Sequence, residues 1–407
     1  MKKYILLSLG ALFYMCFLPQ SYFAQNAEDP EPTFAIGANL STGLNWAEEN
    51  SQYFYNGIHP RRRNLTLGVE EFNLLASWRF QKRLSFHSRL QLRRDDLGEL
   101  KNWALVQAHL RYTSKKGRSH IDIGRFIMPI GSFFRRVLPQ DRLLIGFPLP
   151  YNFYVNVSDQ VGYSPALQEP ERLILADQRD WGLPLLYPFG YNNGVKFHSV
   201  LKADTLELDL AITQSAPSTW ATLDRPIRPN IMGRIQYQPT FFWRQGLSFS
   251  YGPYLGNNSI GLEVDKPNQY RQFLIGTDVR LGYSYFEFNA ELMASHFSAP
   301  LFDNSNQEFI ENPGFEPNLW TLGGYMDIKA EAPFWPGLYL AYRWGFLNFN
   351  TLENQTSDWD RAVNRHSIGI GIKINRFLQI RSVYSKQVVQ DLNMMLDHWQ
   401  SFLIISI

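Results

Sequence analysis

One cysteine occurs in 407 residues, Cys16, and it lies in the apolar run Tyr4 to Leu18 that follows Lys2 and Lys3. That stretch, ending Ser21-Tyr22-Phe23-Ala24 before Gln25, reads as an export signal over residues 1–24. With the signal removed, no thiol remains, which excludes disulfides and cysteine-based zinc or redox sites. Charge is also sparse at 19%, against roughly 25% in an ordinary soluble domain. Beyond the leader no run of about 18 apolar residues occurs, so no second membrane helix is available. Gly-x-Ser-x-Gly, His-Glu-x-x-His, phosphate-loop and EF-hand patterns are all missing. The eight histidines show no metal-ligand spacing, so neither metal nor cofactor is expected. Loss of Lys2 and Lys3 brings the 39 Lys+Arg level with the 37 Asp+Glu, and a neutral exported chain is no nucleic-acid binder.

What is present is aromatic and alternating. Eleven Trp, 21 Tyr and 30 Phe are spread along a chain whose mean hydropathy is only -0.27, which does not fit a helical membrane bundle. In Thr205 to Thr213 the residues Leu206, Leu208, Leu210 and Ile212 alternate with Glu207, Asp209 and Ala211. Ser367 to Lys373 does the same with Ile368, Ile370 and Ile372, and this period of two means strand. Comparable stretches begin near Thr33, Asn64, Arg83, Asn102, Arg118, Asn192, Thr205, Asn230, Gly246, Arg271, Tyr285, Leu319, Gly337, His366, Phe377 and Trp399.

The links between these strands alternate in length. Short ones fall at Gln81-Lys82, Ser114 to Gly117, Lys202 to Asp204, Pro239 to Gln245, Gly282 to Ser284, Ala332 to Pro336 and Asn375-Arg376. Long ones lie between, the longest being Pro129 to Tyr191. The expected fold is therefore all-β, a transmembrane antiparallel barrel of about 16 strands with short periplasmic turns and long outer loops. Residues 25–32 form a short linker and 33–407 the barrel. Trp78, Phe80, Phe241 to Trp243, Phe334-Trp335 and Phe377 at one end, and Trp46, Trp103, Trp320, Trp344 and Trp399 at the other, match two interfacial girdles.

Fixing the lipid-facing parity by Leu84, Phe86, Leu90 and Leu92 turns the intervening residues into the lumen. Arg83, His87, Arg89 and Arg93, with His109 and Arg111 from the fourth strand, make a basic wall. Glu207, Asp209, Asp278, Glu287, Glu291 and Asp327, from the seventh and the tenth to twelfth strands, make an acidic wall opposite. Such a field would orient dipolar solutes and let ions pass.

The step Gly124-Arg-Phe-Ile-Met-Pro-Ile-Gly131, following a signal and five strands, resembles the Gly-x-Phe-x-x-Pro-x-Gly step of the phosphate-selective porin O and P group. The resemblance implies a porin-like outer-membrane barrel whose third outer loop follows that step. Two departures from the family pattern stand out: Ile407 takes the place of the terminal aromatic usual in such barrels, and the lysine-rich constriction that phosphate selectivity would want is not evident.

The third loop, 129–191, has eight prolines and five arginines, Arg135, Arg136, Arg142, Arg172 and Arg179, and no lysine. A loop of that length in a compact domain is usually functional. It either folds into the lumen as a constriction, its arginines meeting inward acids such as Glu287 and Glu291, or caps the barrel as a lid. The first function expected is passive diffusion of small polar or anionic solutes. A non-conducting subunit of an outer-membrane assembly or secretion complex is the alternative. An enzyme of omptin type, resting on Asp95-Asp96 and Asp397-His398, comes third. Expected partners are outer-membrane lipid and lipopolysaccharide, which His59 and Arg61 to Arg63 could touch, and a homotrimer or other outer-membrane proteins.

Overall fold

The computed structural model describes residues 32–47, 65–94, 100–159, 162–163, 182–202, 205–219, 227–256, 267–303, 308–309, 317–352, 357–390 and 394–407. The signal, His59, Arg61 to Arg63, Asp95-Asp96, Arg172 and Arg179 lie outside them. The strands are β1 (Thr33–Ala47), β2 (Thr66–Gln81), β3 (Leu84–Arg94), β4 (Leu100–Thr113), β5 (Ser119–Ile127), β6 (Tyr191–Lys202), β7 (Leu206–Thr213), β8 (Asn230–Thr240) and β9 (Trp243–Pro253). They continue as β10 (Arg271–Tyr283), β11 (Phe286–Ser298), β12 (Phe302–Asp303), β13 (Glu308–Phe309), β14 (Asn318–Glu331), β15 (Leu338–Phe349), β16 (Val363–Lys373), β17 (Leu378–Val389) and β18 (Met394–Ser406). All but β12 and β13, which form a small ribbon of their own, close into one antiparallel barrel of sixteen strands. The largest offset from the expected starts is at the last strand, which begins at Met394 where Trp399 was expected.

Alternation decides which way each side chain points. On β9, Leu247, Phe249 and Tyr251 face outward while Ser248 and Ser250 are buried. On β16, Ile368 and Ile370 face outward and Arg365 and Ser367 inward. The wall is thus apolar outside and polar inside, the reverse of a water-soluble domain, and Trp78, Phe241, Phe334, Trp335 and Phe377 are exposed at the short-turn end. Exposed apolar surface on this scale calls for an apolar medium around the barrel.

Of the register shifts in the ladder, two that fall in mid-strand bear on the lumen. Opposite Ser41 and Thr42 the register of β2 skips Glu70, so Glu70 and Glu71 both turn inward. Opposite Arg89 and Leu90, β4 skips Val106, which is buried as Arg89 is. Each is a bulge: one extra residue, with the faces on either side preserved. The ring is closed by β1 and β18, paired from Asn39↔Ser406 to Ala47↔His398.

Candidate functional site: the third long loop inside the barrel

After Ile127 the chain leaves the wall and turns into the lumen. Gly131, at φ +61, makes the entry possible: a Cβ there would lie 2.7 Å from the Tyr151 hydroxyl and 2.8 Å from Glu291 Oε2. The return is made by Gly190, at φ +64, where a Cβ would strike the Phe134 ring. Between them stand short 3-10 turns at Phe133–Arg136 and Pro139–Asp141 and one helical turn at Leu149–Asn152. Proline has no N–H to satisfy, and six of the loop's prolines lie on described segments, where they lower the number of buried donors.

The wall satisfies the rest. Glu291 of β11 accepts from the Ser132 amide at 2.6 Å, the Ser132 hydroxyl at 2.7 Å, the Phe133 amide at 2.7 Å and the Tyr151 hydroxyl. Burial, then the Glu291 carboxylate, pushes the Tyr151 phenol well above its usual range, so it stays a donor. Arg343 of β15 donates to the Gly146 carbonyl, and Arg365 of β16 to the Phe147 carbonyl and to Asn152. Arg381 of β17 donates to the Pro139 and Gln140 carbonyls. Gln272 of β10 donates to the Leu185 carbonyl, and the Gly131 amide donates to Ser248 of β9. Arg142 meets Glu71 of β2 at 3.1 Å, and Arg135 meets Asp209 of β7 at 3.2 Å while donating to Gln236 of β8. Nine strands are thus tied to the loop by polar contacts, and Arg93 of β3 adds a tenth, stacked 3.8 Å over Phe189.

Apolar packing completes the contact. Phe133, Phe134, Val137, Phe147, Tyr151, Leu186 and Phe189 pack with Val106, Met232, Leu274, Met293 and Tyr325 of the wall. Toward the long-loop end a second cluster joins Phe153, Val155, Tyr163 and Leu183 to Tyr254, Phe297, Leu319, Phe349 and Trp359. Deletion of one such buried side chain costs about 2–5 kcal/mol. The described part of the loop is therefore a packed element held against lumen-facing side chains.

The residues singled out by sequence fall as follows. His87, Arg89, Arg93, His109 and Arg111 face the lumen, but Arg83 does not sit on β3, being in the turn before it. The basic residues meet two acids that the sequence reading passed over. Arg111 forks onto Asp122 of β5 at 2.7 and 3.0 Å, joined there by Lys196 at 3.1 Å, and Arg89 and Arg93 flank Glu71. Asp122 was within reach of alternation, between Ile121 and Ile123; Glu71 needed the bulge. The acids opposite are paired as well: Asp278 with Arg234 at 2.7 Å, Asp327 with Arg343 at 2.6 Å, Glu287 with Arg280 at 3.2 Å, and Glu207 with Arg135 at 3.6 Å. Arg135 and Arg142 thus pair with Asp209 and Glu71, and Glu291 takes hydroxyl and amide donors instead of an arginine. Arg136 is half-buried; burial works against its charge, but the surroundings of Tyr325, Asp327, Glu291 and Glu287 outweigh that and raise its pKa above the usual arginine value.

Histidines that looked scattered come together on neighbouring strands. His87 stacks on His109 at 5.3 Å and His120 on His198 at 4.6 Å. Even so, among the described residues no group of three or more His, Cys, Asp or Glu is arranged to hold a metal. Asp397 and His398 are successive on β18 and point to opposite faces, so this dipeptide cannot work as one acid–base pair.

No protein-family model matches the chain. No curated protein matches it either. Solved structures do. The anion-selective porin of Comamonas acidovorans aligns over 93% of this chain and 100% of its own, with TM-score 0.59 at 8% identity. The outer membrane channel DcaP of Acinetobacter baumannii aligns over 95% and 100%, with TM-score 0.57 at 10% identity. The trimer form of OmpT, an outer membrane protein of Vibrio cholerae, aligns over 93% and 100%, with TM-score 0.54 at 8% identity. The chain has the fold of outer-membrane porins.

Proposed function

We propose that this protein is a porin-type channel of the outer membrane, exported with a cleaved signal, through which small polar or anionic solutes diffuse passively. The third loop is its constriction. The carrying observation is that loop, held by polar contacts from nine strands within a wall that is apolar outside and polar inside. The fold shared with an anion-selective porin supports the solute class, and the Gly124 to Gly131 step supports kinship with the porin O and P group. The expected assembly is a homotrimer set in lipid and lipopolysaccharide; the trimer form of the Vibrio protein supports the oligomer.

One observation favours the non-conducting assembly subunit: the cluster around Phe153, Tyr163 and Trp359 fills part of the long-loop half with apolar side chains. A planar-bilayer recording of the purified full chain separates the two. Small discrete steps that grow when Leu143 to Asp180 are deleted support the channel. Silence of the intact chain and of the deletion overturns it in favour of the subunit.

A further inference from the structure

The wall that the sequence marks as acidic carries a like-charge pair. Arg244 on β9 and Arg280 on β10 are directly opposed in the ladder, both on the lumen face near the short-turn end. Side chains in such a pair leave Cβ atoms about 5 Å apart, and like charges there destabilise the sheet. The two guanidiniums turn away from each other. Arg280 reaches across to Glu287 of β11 at 3.2 Å, and Arg244 reaches the other way, giving two hydrogen bonds to Gln238 of β8 at 3.0 and 2.8 Å. Among the described residues Arg244 has no ion-pair partner. From the loop above, Arg135 comes down to the same wall, held by Gln236, Asp209 and Glu207 with 40% of its side chain exposed. The side chain of Arg280 is 46% exposed.

The acids here already have partners: Asp278 has Arg234, Asp209 has Arg135 and His198, Glu287 has Arg280 and Lys329, and Glu207, the carboxylate whose charge is felt at Arg244, has Arg135 at 3.6 Å. Opposed arginines whose side chains are bonded away from each other are suited to a ligand that supplies the missing negative charge. We propose that Arg244 and Arg280, with Arg135 above them, form an oxyanion site in the short-turn mouth of the lumen. Its ligand presents two or more oxygens on one centre, as phosphate, sulfate or a carboxylate does, because each guanidinium fork matches an oxygen pair. The oxyanion would draw the two forks together, exchanging the Arg244 bonds to Gln238 for charge-assisted ones. The site stands on lumen geometry, so it is separable from conduction.

The test is equilibrium dialysis of labelled sulfate and inorganic phosphate against the purified full-length barrel in detergent, at constant ionic strength set with chloride. Saturable binding is expected, weakened at least about tenfold by Arg244→Gln and by Arg280→Gln. Arg79→Gln, a lumen-facing arginine of β2 outside the cluster, should leave it unchanged. Arg244→Lys keeps the charge and loses the fork, so it should fold as the parent does and bind more weakly. Absence of saturable binding, equal loss in Arg79→Gln, or parental affinity in Arg244→Lys each overturns the site. If binding fails while single-channel steps persist, the channel reading stands; binding by a barrel silent in bilayers overturns only the channel.

Discussion

Glu291 shows how much one side chain can hold in this lumen. It was legible as an inward acid, because Phe286, Phe288 and Leu292 set the lipid-facing parity of its strand. Its partners were not, since Ser132, Phe133 and Tyr151 are about 140 to 160 positions away in sequence and no spacing rule links them. Removing the carboxylate leaves these buried donors unpaired, at about 1–3 kcal/mol for each. Glu291→Ala should therefore free the loop while the barrel stays closed. Trypsin should then cut at Arg142, which is buried in the parent, many times faster, without loss of the heat-modifiable band. Unchanged cutting would mean that apolar packing alone fixes the loop. Phe288→Ala, an outward change on the same strand, should leave the cutting rate as it is.

At the scale of elements, the strands were readable because alternation is a local property, and the bulges were not because they are visible only against a partner. Alternation along Thr66 to Gln81 cannot say whether Glu70 or Glu71 is the inward residue. The ladder answers that both are, since Ser41 faces Glu71 and Thr42 faces Val69. The same gap hid the pairing of Arg244 with Arg280 and of Asp327 with Arg343, each of which depends on register between strands. The bulge yields a sharp contrast. Deleting Glu70 regularises the ladder and keeps every other side chain on its own face, so the variant should still form a barrel while losing the Glu70 contact with Asn45. Deleting Phe72 reverses the faces on one side of the cut and turns residues such as exposed Leu67 toward the lumen. Migration on unheated gels measures both: a folded band for the first, none for the second. Folded bands for both would show that β2 slips freely in register.

For the molecule as a whole, closure leaves the sixteen-stranded sheet without an edge, and its backbone groups in an apolar medium have no other way to be satisfied. The purified chain should run faster unheated than boiled and give a β-type circular-dichroism spectrum. A helical spectrum, or one mobility before and after boiling, would contradict the fold. Closure also constrains the order in which the molecule can be built. The ring is completed by the first strand meeting the last, while segments 128–159 and 182–190, rich in buried Phe and Tyr, sit inside it and are gripped from β2 round to β17. Threading so bulky a segment through a finished ring would mean pushing aromatic side chains past a wall already hydrogen-bonded all the way round. A loop laid against the curling sheet while β1 and β18 are still apart would give the seam a packed template on which to close.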